Sequence, residues 1–425
     1  MVKIHMPDDN SLSIEHTLQP IVYTSWFLGV GVAHPRKYRK IITIIIRIVH
    51  FVICTLTLTL FSLNVFDHDK FHYDEFSYIV ETIIYYVSAY YYIYHGIRHY
   101  DKWPELMDKI KDLDQKIKRE THINERHLKN LEVVAITATF VCCTLLPTVY
   151  NLYNFLYLND IVVQELLAYY MLAQSLINSF VFDVVVYILY YRYQMINKLL
   201  GQLDELSDTP GRIALKIKRI RQLHCDICDL VVMVNSIHGL HLLFVSINCF
   251  SSVSTATFFI YSNYYKISYT VLKGIFFLTM YTTQFGLMCW ICTLARQEFD
   301  KTGAIISTIL LKCKSVNLDK LNGTRNQLNL KVRLPMKGSG TQQRSYSCSN
   351  LNYTVEENFL RKYLNREWSS QNLDCVRNEI NDFNIQLQHR RVAFIACNFF
   401  EINNSLFNKF IGVITASVAL MINVH

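Results

Sequence analysis

Apolar residues dominate seven long stretches of the chain, and polar segments separate them. A helix needs about 20 mostly apolar residues to cross the hydrocarbon core of a bilayer, and each stretch meets that length. The stretches are residues 41–65, 76–97, 133–157, 164–191, 232–262, 267–295 and 403–424. The opening "MVKIHMPDDN" is too polar for a secretory signal, so we expect the N-terminus to be retained. The pattern predicts an all-α, multi-pass membrane protein with seven transmembrane helices.

The distribution of lysine and arginine predicts how these helices are oriented. The loops 1–40, 98–132 and 192–228 together hold 21 such residues, whereas the opposite side holds only Lys70 and Lys266. Because positively charged loops stay in the cytosol, we expect a cytosolic N-terminus and an extracellular C-terminus. The net charge of +8 then belongs to cytosolic loops. We therefore expect no nucleic-acid partner.

The polar connections divide the chain into five segments. They are a cytosolic N-terminal segment (1–40), a bundle of six transmembrane helices (41–295), a cytosolic loop (296–371), a cytosolic helix (372–402) and the seventh span (403–425). Within the loop, residues 312–370 are polar and bear glycine and serine, which predicts a disordered insertion. The cytosolic helix carries an apolar stripe that packs either on its own subunit or on a second copy. The stripe consists of Val376, Ile380, Phe383, Leu387 and Phe394.

Other function classes find less support in the sequence. G-protein-coupled receptors also have seven helices, but they place the N-terminus outside, and no cysteine here falls in a predicted outer loop. Cys225 and Cys228 form a CxxC pair without the second pair that a zinc site needs. The chain has no HExxH or GxSxG motif and no evident internal repeat of the transporter kind. We therefore expect no enzymatic activity, catalytic residue, cofactor or metal site.

Two stretches of the chain resemble the insect gustatory receptor family. The segment "VRNEINDFNIQLQHRRVAFIACNFFEINNSLF" contains a match to that family's FF-x-I-(D/N)-x-S-L junction before the last helix, and "LQPIVYTSWFLGVGVAHP" resembles its opening. The family's final TYhhhhhQF signature, in which h is hydrophobic, is degenerate here. Ala416 and Ser417 replace Thr-Tyr, and Asn423 and Val424 replace Gln-Phe. No acidic residue follows the tyrosine position, which favours the bitter-type group over the sugar receptors.

The resemblance implies a ligand-gated, non-selective cation channel in the plasma membrane that detects a small-molecule tastant, bitter or plant-derived. It implies a homo- or hetero-tetramer with other gustatory receptors. It also implies that the last helix is split into a cytosolic part and a pore-lining part. Two alternatives stay open at this point, namely an odorant-receptor-type subunit that needs a co-receptor and a G-protein-coupled receptor.

The last span offers candidate pore residues. Helical steps put Leu420 on the rows of both Asn423 and Val424, and Ser417 on the row of Val424. With the pore that the resemblance implies, Leu420 and Val424 are candidates for a hydrophobic constriction that gates by dewetting, with Asn423 at the outer mouth. The alternative is that these polar groups only form hydrogen bonds across packed helices. Lys409 lies near the same face, where four ammonium groups would oppose cation flow, unless the side chain extends toward the cytosol.

Aromatic and charged residues crowd the outer halves of the other spans. An apolar pocket with a few polar groups is the usual small-molecule site, and aromatic rings suit flat or cationic compounds. The ligand-binding candidates are Glu81, Tyr85, Tyr150, Tyr153, Asn154, Glu165, Tyr169, Lys273 and Phe277; Tyr281 and the "SSVSTAT" segment 251–257 belong to the same crowded region. Tyrosines also form interfacial belts, which is the competing explanation.

Charged groups inside a membrane are costly and need partners. We expect Lys273 to pair with Glu81 or Glu165, and Asp183 to have a structural role. Arg47 is expected to extend toward the cytosolic side.

Overall fold

The computed structural model describes residues 14–66, 73–121, 163–205, 210–262, 269–329 and 370–424, together with residues 130, 133 and 137. Within these ranges the chain forms nine α-helices and one β hairpin. The helices are α1 (Ile14–Phe27), α2 (Lys40–Phe66), α3 (Tyr73–Arg98), α4 (Lys102–Glu120), α5 (Val163–Gly201), α6 (Pro210–Ser262), α7 (Tyr269–Asn329), α8 (Ser370–His389) and α9 (Asn404–Val424). A 3-10 turn, Gln202–Glu205, follows α5, and the antiparallel strands β1 (Ile395–Ala396) and β2 (Phe400–Glu401) precede α9.

Four described helices contain segments that are long and apolar enough to cross a membrane. These segments are Lys40–Leu63 in α2, Tyr170–Gly201 in α5, Gly211–Thr257 in α6 and Gly274–Leu311 in α7. Helices α3 and α9 cover the predicted spans 76–97 and 403–424. The predicted span 133–157 lies outside the described residues apart from two positions. The count of seven spans therefore stays a prediction.

The chain divides into two compact units. The larger unit comprises Met1–Arg192, Asp226–Gln297 and Val392–His425, and the smaller unit comprises Tyr193–Cys225 and Glu298–Arg391. In the larger unit, α4 shows how a polar helix joins an apolar core. Its buried face is Trp103, Leu106, Met107, Ile110, Leu113 and Ile117, while lysines and acidic residues occupy the other face.

An ion pair joins α4 to α5 within the larger unit. Arg192 is 1% exposed, and its Nη2 donates to Asp114 Oδ2 at 2.9 Å. Burial raises the pKa of the Asp114 carboxyl, and the charge of Arg192 acts in the opposite direction. Because a buried charge is costly without a partner, each member of this pair requires the other.

Arg47 anchors the turn after α1, and its expected extension toward the cytosolic side stays a prediction. The side chain is 1% exposed. Its Nη1 donates to the Gly29 carbonyl oxygen at 2.9 Å, and its Nη2 donates to the Gly31 carbonyl oxygen at 2.6 Å. Gly29 and Gly31 have φ of +69° and +62°, values that glycine adopts without a steric penalty. The turn thus brings two carbonyl groups to the guanidinium, and water is not needed to satisfy those donors.

Gly96 on α3 makes room for this guanidinium. A Cβ added at Gly96 would lie 2.0 Å from Arg47 Nη1 and 2.2 Å from the Gly31 carbonyl oxygen. Both distances are far below van der Waals contact. The turn, α2 and α3 therefore meet at a position that only glycine fits.

Helix α7 extends into the predicted cytosolic loop, and the boundaries of the cytosolic segments stay a prediction. The predicted loop 296–371 begins inside α7, which continues to Asn329. The first part of the predicted disordered insertion 312–370 is thus helical, and residues 330–369 lie outside the described residues. Beyond the apolar segment, α7 continues as a polar helix, and hydropathy alone does not reveal where such a helix ends.

The predicted helix 372–402 is shorter than expected. Helix α8 ends at His389, and the hairpin β1–β2 follows. Three residues join the strands; Cys397 and Asn398 have positive φ, 48° and 64°, and the Phe399 amide donates to the Ala396 carbonyl oxygen at 2.9 Å, which closes the turn. On α6, Asn235 Nδ2 donates to the Ala393 carbonyl oxygen at 2.7 Å, and Asn235 Oδ1 accepts from the Ile395 amide at 3.2 Å. The side chain of Asn235 thereby satisfies a backbone carbonyl and a backbone amide in the segment that follows α8.

In the smaller unit, α8 buries its apolar stripe against its own chain. Val376, Ile380 and Phe383 are buried, and the Phe383 ring lies 5.3 Å from that of His224 on α6. Arg221 on α6 pairs with Glu379 at 3.1 Å. This part of the stripe packs within the subunit rather than on a second copy.

We expect Gly96→Ala to destabilise the protein by about 1–3 kcal/mol, the usual cost of overpacking. The new methyl group would displace the Arg47 guanidinium from the carbonyl oxygens that it binds. The measurement is thermal unfolding of the purified protein in detergent. The control is Gly303→Ala on α7, where nothing lies within 4 Å of the added Cβ; helix propensity favours alanine there. Equal stabilities of the two variants would contradict the proposed packing.

Candidate functional site

A ladder of polar side chains joins α3 to α6. Glu81 Oε1 accepts hydrogen bonds from the Tyr85 hydroxyl at 3.0 Å and from the Ser252 hydroxyl at 2.7 Å. The oxygens of Tyr85 and Ser252 are 2.6 Å apart. One turn further along, Asn248 Nδ2 donates to Ser88 Oγ at 3.2 Å. Positions 81, 85 and 88 share one face of a helix, because residues three and four apart are neighbours on its surface.

Helix α7 adds an aromatic wall to this ladder. The rings of Tyr85 and Tyr281 stack with centroids 6.3 Å apart, and Phe277 stacks on Tyr281 at 6.5 Å. Tyr281 is buried, while Phe277 is half-buried. We name Glu81, Tyr85, Ser252, Phe277 and Tyr281 the aromatic–carboxylate cluster. It combines a carboxyl group, hydroxyl groups and stacked aromatic rings, which are the kinds of group that line sites for small organic molecules.

A second polar group pairs α5 with α7 and α6. Gln284 Nε2 donates to the buried Asp183 Oδ2 at 2.8 Å. Asn178 Nδ2 and His241 Nδ1 are 2.9 Å apart. His238 packs its ring against Phe182 at 5.4 Å. These contacts hold the helices together, in agreement with the structural role expected for Asp183.

The predicted ligand-binding residues fall into three groups. Glu81, Tyr85 and Phe277 come together in the aromatic–carboxylate cluster. Tyr150, Tyr153 and Asn154 lie outside the described residues. For the remaining candidates the backbone lies in a helix and the side chain lies outside the described part; these are Glu165 and Tyr169 on α5 and Lys273 on α7. The expected pairing of Lys273 with a carboxylate therefore stays a prediction, as does ligand binding itself.

Ser252 and Tyr281 also belong to the cluster; the sequence places them in the same crowded region as the listed ligand-binding candidates. Their signals were present in the sequence. Tyr281 follows Phe277 by four residues, so both rings lie on one face of α7. Ser252 lies in the small polar segment 251–257 of α6. What the sequence lacked was the register that places Ser252 beside Glu81.

Helix α9 is attached to α7 at its beginning. Asn403 Oδ1 accepts from the Leu406 amide at 3.0 Å, as an N-cap does. The Asn404 amide donates to Thr293 Oγ1 at 2.9 Å. The Phe410 ring contacts that of Phe285 with centroids 5.3 Å apart. In addition, Arg296 on α7 forms an ion pair with Glu401 on β2.

Beyond these contacts, the described side chains of α9 are largely uncovered. Lys409, Ile411, Val413, Thr415 and Ala416 are exposed. Thr415 Oγ1 donates to the Ile411 carbonyl oxygen of its own helix at 2.9 Å. The side chains of the pore candidates lie outside the described part; they are Ser417, Leu420, Asn423 and Val424. Their role in a pore stays a prediction.

The family model for the 7tm Chemosensory receptor matches residues 18–322 and 352–423. The chain belongs to this family. The sequence-based resemblance to insect chemosensory receptors is thereby confirmed at the level of the family, whereas the bitter-type assignment stays a prediction. No curated protein matches this receptor.

Solved structures of an insect receptor share the fold. The olfactory receptor OR5 from Machilis hrabei aligns with a TM-score of 0.50 and 11% identity, covering 97% of this chain and 98% of that one. The same receptor in complex with eugenol aligns with a TM-score of 0.56 and 13% identity, over the same shares of both chains. At these identities the comparison establishes the fold of this chain and nothing about its ligand or partners.

We expect Tyr85→Phe to lower the free energy of unfolding by about 0.5–1.5 kcal/mol, the net value of one buried hydrogen bond. The change removes the hydroxyl that lies beside both Glu81 and Ser252. Thermal unfolding in detergent measures it. The matched control is Tyr90→Phe, because that hydroxyl bonds to the exposed Thr55; we expect a change within about 0.5 kcal/mol. Comparable losses in both variants would show that the cluster contributes no more to the free energy of unfolding than an exposed hydrogen bond does.

Proposed function

We propose that this receptor is a gustatory receptor subunit that acts as a ligand-gated, non-selective cation channel in the plasma membrane. The observation that carries the proposal is the aromatic–carboxylate cluster, held where α3, α6 and α7 meet in a chain of the chemosensory family. Its ligand is a small-molecule tastant, bitter or plant-derived. The eugenol complex of the Machilis receptor supports a small-molecule ligand. On this proposal the chain is a receptor and not an enzyme.

The proposed topology has seven spans, a cytosolic N-terminus and an extracellular C-terminus. The asymmetry of lysine and arginine between the two sets of loops supports it. The subunits form a homo- or hetero-tetramer in which α9 lines a central pore. The uncovered faces of α9 support this role, since they leave the helix available to neighbouring subunits.

Coupling between ligand and pore runs along α7. Tyr281 belongs to the ligand cluster, and Phe285, one turn further on, contacts Phe410 of α9. Thr293 and Arg296 of the same helix hold the beginning of α9 and the strand before it. A ligand that binds better when α7 is displaced would shift the population toward that position. Because α7 and α9 share these contacts, the displacement moves α9 as well.

The proposed gate lies at the outer end of α9. Leu420 and Val424 form a hydrophobic constriction that excludes water in the closed state, with Ser417 below it and Asn423 as a ring of carboxamides at the mouth. Opening widens the constriction until water enters. Lys409 lies near the other end of the helix and is exposed, so we place its charge outside the narrow part of the ion path.

We expect Leu420→Ala to produce a current without agonist, because a smaller side chain lets water enter the constriction. Whole-cell recording from cells that express this chain measures the current. Thr415→Ala is the matched control on the same helix, since its hydroxyl is occupied by its own backbone. A silent L420A variant that reaches the cell surface and still answers an agonist would contradict the gate assignment.

A second candidate function is an odorant-receptor-type subunit, and the structural similarity to olfactory receptor OR5 favours it. Expression of this chain alone separates the two. Agonist currents from the chain alone support the gustatory proposal, whereas currents that require a co-receptor support the alternative. Currents that disappear under G-protein block would indicate a G-protein-coupled receptor, as would an N-terminal tag accessible from outside the cell.

A further inference from the structure

A cavity of about 470 Å³ opens beside the C-terminal half of α3, away from the aromatic–carboxylate cluster. We name it the basic groove. Helix α3 provides one wall, α6 provides another, and the turn of the β hairpin closes one end. The lining residues are Tyr91, Tyr94, His95, Arg98, His99, Asn235, Ser236, Gly239, Leu240, Ile395, Cys397 and Asn398.

The charge of the basic groove has one sign. Arg98 is the positively charged residue of its lining, the two histidines are polar, and none of these lining residues is Asp or Glu. Asp101, the acidic residue just after α3, pairs instead with Lys40 at 3.1 Å. The guanidinium of Arg47 packs on the backbone of Gly96, directly beside His95 in the chain. In the part of the chain that the structure describes, Arg47 bonds to carbonyl oxygens rather than to a carboxylate, so its charge adds to the positive potential of the groove.

Several donors in the basic groove suit an anion. Arg98 is exposed, and its Nη1 donates to the Tyr94 hydroxyl at 3.0 Å, which orients the guanidinium. The rings of His95 and His99 lie 4.4 Å apart. His99 Nδ1 is buried and has no hydrogen-bond partner among the described atoms. Arginine is the usual donor to phosphate, and a neutral imidazole beside it can donate one further hydrogen bond.

Exposed apolar side chains belong to the groove lining or lie next to lining residues in the sequence. Tyr94 is 56% exposed, and Ile97 and Leu240 are each 36% exposed. Phe399, next to the hairpin turn, is 76% exposed. A free phosphate ion would gain nothing from these side chains, whereas the acyl chains of a lipid would cover them.

We propose that the basic groove binds the phosphate headgroup of an anionic phospholipid. Arg98 and His99 contact the phosphate oxygens, Ser236 and Asn398 lie at the sides of the headgroup, and the acyl chains lie along Ile97, Leu240 and Phe399. The site is separate from the tastant site, and it depends only on the chain being embedded in a membrane.

The test uses the full-length receptor reconstituted in phosphatidylcholine vesicles with and without phosphatidylserine, with native mass spectrometry or fluorescent-lipid quenching as the readout. We expect Arg98→Gln to weaken retention of phosphatidylserine roughly tenfold, because a charge-assisted hydrogen bond is lost. Ser236→Glu, which adds a carboxylate at an exposed position of the groove, should weaken it at least as much. Arg119→Gln on α4 removes the same charge from an exposed position elsewhere and should leave retention unchanged.

Three outcomes would overturn the proposal. Basic residues in a last turn also stabilise a helix through its dipole; with that role alone, Arg98→Gln would lower stability and leave lipid retention unchanged. Equal losses in the Arg98 and Arg119 variants would indicate non-specific surface attraction. Displacement of the lipid by inorganic phosphate at equal affinity would make free phosphate the ligand. Agonist currents are not part of the test, so its failure leaves the proposed channel function untouched.

Discussion

Arg47 donates hydrogen bonds to the carbonyl oxygens of Gly29 and Gly31 from within the most apolar helix of the described chain. A bilayer provides no water to satisfy polar groups, so each one must find its partner inside the protein. The partners here are backbone groups that become available only because two glycines adopt positive φ. The contact fixes the path of the chain between α1 and α2, and Gly96 allows α3 to approach the same guanidinium.

The same constraint shapes the rest of the larger unit. The carboxylate of Glu81 accepts hydrogen bonds from Tyr85 and Ser252, and that of Asp183 accepts from Gln284. The contacts with Ser252 and Gln284 join different helices, because a polar group inside a helix bundle needs a partner from within the protein. Polar satisfaction therefore determines which helices are neighbours, while hydropathy determines only which segments are helices.

The difference between hydropathy and the pairing of polar groups explains how far the sequence could predict the structure. The predicted spans 41–65 and 76–97 agree closely with α2 and α3, because the thickness of a bilayer sets the length of an apolar helix. Helices α6 and α7 extend well beyond their predicted spans as polar helices, and hydropathy does not give the bounds of such extensions. The hairpin before α9 was missed because residues 390–402 carry enough apolar positions for a helix. The decisive feature was the positive φ of Cys397 and Asn398, which periodicity does not encode.

The candidate site follows the same logic. Glu81, Tyr85 and Phe277 could be recognised because carboxylates and aromatic rings are conspicuous inside a span. The pairing of Glu81 with Ser252 could not, since it depends on the register between α3 and α6. A single sequence contains no direct record of that register.

Polar residues in α9 do not all carry the same information. A hydroxyl has one proton to donate, and the carbonyl four residues back in its own helix can accept it, as Thr415 demonstrates. A threonine or serine in this helix is therefore compatible with lipid, protein or water. The carboxamide of Asn423 has two donor hydrogens and an acceptor oxygen, more than the backbone of one helix satisfies. Its partner must come from another helix, another subunit or water. Asn423 is thus more informative than Thr415 or Ser417 about whether α9 lines a pore or only packs against other helices.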